Sequence, residues 1–286
     1  MKIAVTAEST IDLPKKMLKE FSIRTVPFMV SMGDKTGLDG EITPEEEFAF
    51  TKETGKLPHT SAVNPFQYEE FFADVLKEAD HIIHFSLSSG ISRAFENATT
   101  VAHEDAFEGK IDVIDTRSLS TGIALQAIAC RKLVDEGKEV GEIVRICQAR
   151  VPHCQASFSL ESVDNLYKGG RCSLLKMVGA NLLKIKPSIY VESDGKMYPG
   201  KKYRGPMDKV VASYVDETLA RFPTPDKSLA FITYSTATPE AIEAAKSKLR
   251  EKGFQRIEET TAGATVSCYC GPHCLGVLYF NDGAEA

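Results

Sequence analysis

Apolar positions along the chain follow two spacings that alternate through its first half. Short continuous runs such as Ile3-Ala4-Val5, Ile82-Ile83 and residues 111–114 have the length and composition of buried strands. Between them, Met17, Leu18 and Phe21, then Phe71, Phe72, Val75 and Leu76, then Ala98, Val101 and Ala102 recur at the three- and four-residue steps of a helix face. The spacing predicts strands over residues 2–6, 24–30, 81–85 and 111–114, with helices after 14, 44, 65 and 94 and over 122–136. Asp12 is expected to cap the first helix, with Pro14 in its opening turn. Thr43-Pro44-Glu45-Glu46 and Asn64-Pro65-Phe66-Gln67 both carry the residues of a capping box. Strands alternating with helices of this length indicate an α/β fold with a largely parallel sheet flanked by helices.

The second half changes character. A strand at 158–161, an apolar helix at 174–183 and a strand at 185–191 lead to Asp194-Gly195, a hairpin turn returning through residues 196–203. A helix over 207–221, a strand over 228–234, a helix from Pro239 to Gly253 and a strand over 275–280 follow. A hairpin among helices implies an α+β unit with a mixed sheet. The expected division is residues 1–155 and 156–286, with a polar excursion from the first unit near 31–57.

Composition narrows the class of function. With 26% charged residues, 43% hydrophobic residues and no apolar run approaching a bilayer span, the chain reads as a soluble globular protein without a transmembrane segment. Its net charge of -6 argues against sequence-independent binding to nucleic acid. Seven scattered cysteines and an N-terminus that runs straight into a strand suit a reducing cytoplasm.

The candidate chemistry lies at strand ends. Ser86-Leu87-Ser88-Ser89-Gly90-Ile91-Ser92 joins a strand to a helix, an arrangement that aims backbone N–H groups at one point. Gly90 is expected to supply a positive φ. Anion binding and plain helix capping by these serines both remain open. Thr6–Thr10 and Asp115–Ser120 are similarly rich in hydroxyls, and open α/β sheets bind ligands at the carboxyl ends of strands. Arg171, behind Gly169-Gly170, can bring a guanidinium to a carboxylate. Cys268-x-Cys270-x-x-His273-Cys274 has a poor spacing for zinc. No phosphate-cradling loop and no nucleophile elbow is present. Anion-suited turns without bond-making machinery favour a binder over an enzyme.

Taken together, Glu8-Ser9-Thr10-Ile11-Asp12-Leu13, Leu38-Asp39-Gly40-Glu41-Ile42-Thr43, Thr60-Ser61, Ser88–Ser92, Lys168-Gly169-Gly170-Arg171, Leu183-Lys184-Ile185-Lys186-Pro187, Arg204-Gly205 and Cys270-Gly271-Pro272 resemble the DegV family of bacterial fatty-acid-binding proteins. The resemblance covers nearly the whole chain. It implies a two-domain carrier that holds one long-chain fatty acid in a tunnel between the domains and presents it to a separate fatty acid kinase. By position it implies that Thr60, Ser61, Ser92 and Arg171 surround the carboxylate, with no cofactor beyond the lipid. Two departures stand out: Ser92-Arg93-Ala94 replaces the family's Ser-Gly-Thr, and Tyr269 replaces its His. Arg93 and Tyr269 are therefore added to the expected head-group site. Lys201, Lys202 and Arg204 form a basic cluster that suits either a docking partner or a solvated hairpin edge. Two other functions remain open, an enzyme using Tyr269 or a thiol among Cys268, Cys270 and Cys274, and a regulator that senses fatty acid.

Overall fold

The computed structural model describes residues 1–172 and 185–283. In chain order the elements are β1 (Ile3–Glu8), α1 (Lys15–Glu20), β2 (Ile23–Val26), β3 (Met29–Met32), β4 (Lys35–Leu38), α2 (Pro44–Thr54), β5 (His59–Ser61), α3 (Pro65–Val75), β6 (His81–Ser86), α4 (Ala94–Ala102), β7 (Ile111–Asp115), α5 (Thr121–Asp135) and α6 (Val140–Arg150). Then come β8 (Cys154–Ser159), α7 (Asp164–Lys168), β9 (Lys186–Val191), β10 (Met197–Tyr203), α8 (Met207–Arg221), β11 (Ala230–Tyr234), α9 (Pro239–Lys252), β12 (Ile257–Thr261), α10 (Ala264–Cys270) and β13 (Leu275–Phe280). The helix expected at 174–183 lies outside the described residues.

Three sheets organise these elements. The first is parallel throughout, in the order β2-β1-β6-β7. Its order reverses at β1, so the loops leaving β1 and β6 diverge and open a crevice at the carboxyl ends of those strands. The second sheet, β10-β9-β8-β13-β11-β12, is mixed, with only the β11–β12 pair parallel. The third is a small antiparallel sheet, β4-β3-β5. This sheet corrects two expectations: the strand over 24–30 is two strands, and the polar stretch after it is built around β4. Lys35 and Thr36 are exposed on that edge, which hid it from an apolar-run criterion.

Helix α5 packs against β1 and β6 of the parallel sheet and against β8 and β13 of the mixed sheet. Covered from both sides, it buries Thr121 through Ala127 without interruption. One continuous apolar cluster runs from Val5, Ile83 and Phe85 to Phe158, Ile189 and Leu278. A second, with Val211, Tyr214, Val215, Leu249 and Val277, packs α8 and α9 onto the mixed sheet.

The capping boxes form as the residues require. Glu46 N–H donates to Thr43 Oγ1 at 3.3 Å and Thr43 N–H to Glu46 Oε2 at 3.0 Å. The reciprocal Asn64–Gln67 bonds are both 3.0 Å. Asp12, by contrast, does not cap α1. It closes a 3₁₀ turn at φ 54°, and Pro14 occupies the N-cap position instead. The Asp12 carboxylate turns inward, accepting from Ser120 Oγ at 2.5 Å and from the Gly263 N–H at 2.8 Å.

Candidate functional site

A cavity of about 480 Å³ opens at the crevice between β1 and β6. Its wall takes Thr10 from the loop after β1, and Leu87, Ser89, Ile91 and Ser92 from the loop after β6. Thr60 enters from β5, Leu166 and Arg171 from α7 and the turn behind it, Met197 from β10, and Val266, Tyr269 and Cys270 from α10. Phe28 and Leu119 add further apolar surface. All three sheets therefore contribute to one chamber, of a size that holds a small-molecule ligand.

The polar part of the wall is assembled across the fold. Thr60 Oγ1 and the Tyr269 hydroxyl share a hydrogen bond of 2.7 Å. The Arg171 guanidinium lies 4.4 Å from the Tyr269 ring centre, and its Nη1 donates to the Gly169 carbonyl at 2.7 Å. Among the described residues its other N–H groups have no hydrogen-bond partner. Gly169 has no freedom to carry a side chain, because a Cβ there would overlap the Tyr269 ring. Gly170 follows at φ 71°, the left-handed turn that swings Arg171 back toward the ring. Burial raises the Tyr269 hydroxyl above its usual range, with Thr60 and Arg171 pulling the other way. Tyr269 is therefore a neutral donor at physiological pH.

The serine turn divides its labour. Ser88 Oγ accepts from the Gly90 N–H at 3.1 Å and donates to the Gly195 carbonyl at 2.7 Å. Ser89 donates through its N–H and Oγ to Asp115. Ser92 Oγ accepts from the Ala94 N–H at 3.2 Å, which leaves its own proton to donate toward the cavity. Gly90 is not at positive φ, contrary to expectation. It is required for contact: a Cβ there would stand 2.6 Å from the Gly195 carbonyl oxygen.

Two expected residues sit apart from this group. Ser61 follows Thr60 on β5, and strand alternation that buries Thr60 leaves Ser61 exposed. Arg93 occupies the N-cap of α4 with its side chain 81% exposed, paired with Glu96 at 3.2 Å on the outer part of the cavity wall. Of the basic cluster, Lys201 is paired with Glu217 at 3.4 Å.

Other polar residues support the chamber without an obvious sequence signal. Glu8, at the end of β1, and His84, inside β6, are fully buried and 3.1 Å apart. Glu8 also accepts from the Tyr68 hydroxyl at 2.6 Å, Ser86 Oγ at 2.7 Å and the Leu87 N–H at 2.9 Å. Burial opposes its charge, yet the His84 imidazole and these bonds outweigh it and hold Glu8 below the usual carboxylate range. The last bond fixes Leu87 in the cavity wall. Helix α10, also missed in the sequence, is secured at its start by Asp12 on Gly263 and by Asp39 on the Ala264 N–H at 2.9 Å.

Cys268 and Cys274 are held as neutral thiols. Burial pushes Cys268 up to about 12, and contact with Cys270 together with burial raises Cys274. Among the described residues no three His, Cys, Asp or Glu side chains gather as a metal site, and no helix is long and apolar enough to cross a membrane.

Comparison with known proteins agrees with the architecture. A Thermotoga maritima protein named fatty acid-binding protein is 27% identical over 284 residues, covering 96% of each chain. A solved Thermus thermophilus DegV family protein, described by its fatty acid binding, superposes with a TM-score of 0.90 at 24% identity, over 98% of this chain and 99% of that one. The Streptococcus pneumoniae Fatty Acid Kinase (Fak) B3 protein, solved with linoleic acid, gives a TM-score of 0.84 at 21% identity over 99% and 100% of the two chains. The family described as "Uncharacterised protein, DegV family" matches residues 2–282, and this chain, with its parallel sheet and its mixed sheet, belongs to the DegV family.

Proposed function

We propose that the chain binds one long-chain fatty acid in the 480 Å³ cavity and presents its carboxylate to a separate kinase. The observation that carries this reading is the joining of an apolar wall (Phe28, Leu87, Ile91, Leu119, Leu166, Met197 and Val266) to the Thr60–Tyr269–Arg171 cluster in one chamber. The Thr60–Tyr269 pair, which uses one of its two hydroxyl protons internally, supplies one neutral donor to the carboxylate, Ser92 supplies another and Arg171 supplies charge. Arg93, at the outer wall, acts on the head group through its field, while Ser61 stays outside. The protein carries no cofactor in this reading beyond the lipid itself, and the chamber is the tunnel between an N-terminal unit and a C-terminal one divided near residue 155. The raised pKa values of buried Cys268 and Cys274 support binding over catalysis by either of those two thiols.

Affinity comes mainly from the tail. Burying about a dozen methylenes contributes on the order of 10 kcal/mol before ordering costs, against about 1.5–3 kcal/mol for one hydrogen bond to the charged carboxylate. Titration calorimetry with palmitate, octanoate and hexadecanol separates the parts. Palmitate should bind tightest, octanoate far more weakly for want of tail, and hexadecanol less tightly than palmitate. Equal affinity for octanoate and palmitate would remove the basis of the reading.

A further inference from the structure

Helix α10 ends at Cys270, and Cys274 stands immediately before β13. Gly271, at φ 71°, turns the chain between them. Ser235, just after β11, pins the two ends of that turn together. Its Oγ donates to the Gly271 carbonyl at 2.5 Å and accepts from the Cys274 N–H at 3.3 Å. Its own N–H donates to the Cys274 carbonyl at 3.1 Å. The two side chains meet: the Cys274 thiol has the Cys270 thiol as its hydrogen-bonding neighbour, and both border one internal void of about 20 Å³. Both are free thiols. Their surroundings differ in one respect. Cys270 also lines the 480 Å³ lipid cavity, and among the described residues it is the one cysteine that does. Cys274 lies behind it, 5% exposed. A small oxidant entering the empty cavity therefore meets Cys270 first, with a second thiol already against it.

We propose that Cys270 and Cys274 form a reversible disulfide, with the lipid cavity as the path by which a peroxide reaches Cys270 and bound lipid as the plug that closes it. The inference rests on the carrier reading and adds to it a redox response to lipid occupancy. The Cys270 sulfur attacks one oxygen of hydrogen peroxide, and the O–O bond breaks. The departing oxygen takes that bond's electron pair and the thiol proton and leaves as water, so Cys270 becomes a sulfenic acid. The Cys274 sulfur then attacks the Cys270 sulfur. The S–O bond breaks, and its hydroxyl leaves as a second water with the Cys274 proton. Two thiols lose two electrons in all, and one peroxide becomes two waters. An isolated sulfenic acid goes on to irreversible acids, whereas a thiol in contact ends the sequence at a bond that other thiols can reduce.

Timed oxidation of the lipid-free full chain with hydrogen peroxide, followed by alkylation and peptide mass spectrometry, tests this. Wild type should form a Cys270–Cys274 disulfide that dithiothreitol reverses. Palmitate at ten times its dissociation constant should slow its formation about tenfold, because only empty chains react. Cys274→Ser should instead yield a sulfenic acid at Cys270 that dimedone traps, and Cys270→Ser should yield neither product. The wild-type comparison with and without palmitate decides the matter even where a variant fails to fold. No Cys270–Cys274 disulfide in the lipid-free chain overturns the inference, as does an equal rate with palmitate shown by calorimetry to be bound. Either result leaves the carrier reading standing. If palmitate does not bind at all, the carrier reading fails and the gating by lipid fails with it.

Discussion

The hydroxyls of Thr60 and Tyr269 meet at 2.7 Å although 209 positions separate them in the chain. That bond ties the small antiparallel sheet to α10 and sets the polar face of the cavity. Removing the phenolic oxygen in Tyr269→Phe leaves a buried Thr60 hydroxyl without its partner and breaks the hydroxyl pair that faces the head group. The expected result is roughly tenfold weaker palmitate binding with the protein still folded. Because burial raises the Tyr269 pKa, wild-type affinity should be flat from about pH 6 to 9 as far as this group is concerned. Tyr269→His should introduce a pH dependence, tighter below about pH 6.5 where the imidazole is charged. Calorimetric titrations across that range check both statements.

Gly169 and Gly141 offer a matched pair. A methyl group at Gly169 would collide with the Tyr269 ring, whereas one at Gly141, in the first turn of α6, meets nothing within 4 Å. Gly169→Ala should displace the ring, lower the melting temperature and weaken palmitate binding together. Gly141→Ala should stabilise by about 0.4–1 kcal/mol and leave binding alone. Thermal melts with parallel ligand titrations distinguish the two.

Glu47 on α2 gives the fold a pH signature. The residue is 1% exposed, and neither carboxyl oxygen has a hydrogen-bond partner in the described structure. Burial and, secondarily, the charge of Asp39 push its pKa up to about 9. A carboxyl raised in the folded state contributes its full stability below the unfolded pKa of about 4.3 and loses it as pH climbs toward the folded value. Melting temperature should therefore fall between about pH 5 and pH 9. Glu47→Gln, neutral throughout, should lessen that decline, the remainder coming from Asp12, which burial pushes up to about 8, and should melt higher than wild type at pH 9. A wild-type profile that rises over the same interval would mean that Glu47 is ionised in the fold.

Elements with their own periodicity and caps were legible from the chain. Helix α8 runs over 207–221, β13 over 275–280, and α9 starts at Thr238 and stops at Gly253, as the apolar spacing and end signals indicate. What escaped detection depends on distant partners. Helix α10 is seven residues with β-branched Thr265 and Val266, and its first N–H groups are held by Asp12 and Asp39, 251 and 225 positions away. The Glu8–His84 pair is equally invisible, since parallel pairing of β1 with β6 is what brings two isolated polar residues together. At the candidate site, the hydroxyl-rich turns marked strand ends that line the cavity. Their individual duties did not follow, because Ser88 and Ser89 are committed to Gly195 and Asp115. Gly90 was marked correctly as a special position for the wrong reason: close approach of the hairpin, not backbone sign, excludes a side chain there.

The most direct measurement of the central claim is mass spectrometry of lipid released by denaturing the protein purified from its native host, with protein quantified in the same sample. The account predicts about one fatty acid per chain, of roughly 14–18 carbons, the length whose buried methylenes supply the affinity. It predicts further that Arg171→Ala, which removes the cation behind Tyr269, retains less acid per chain after equal washing. Protein that emerges without fatty acid, takes up none when offered palmitate, and shows no difference between wild type and the Arg171 variant would contradict it.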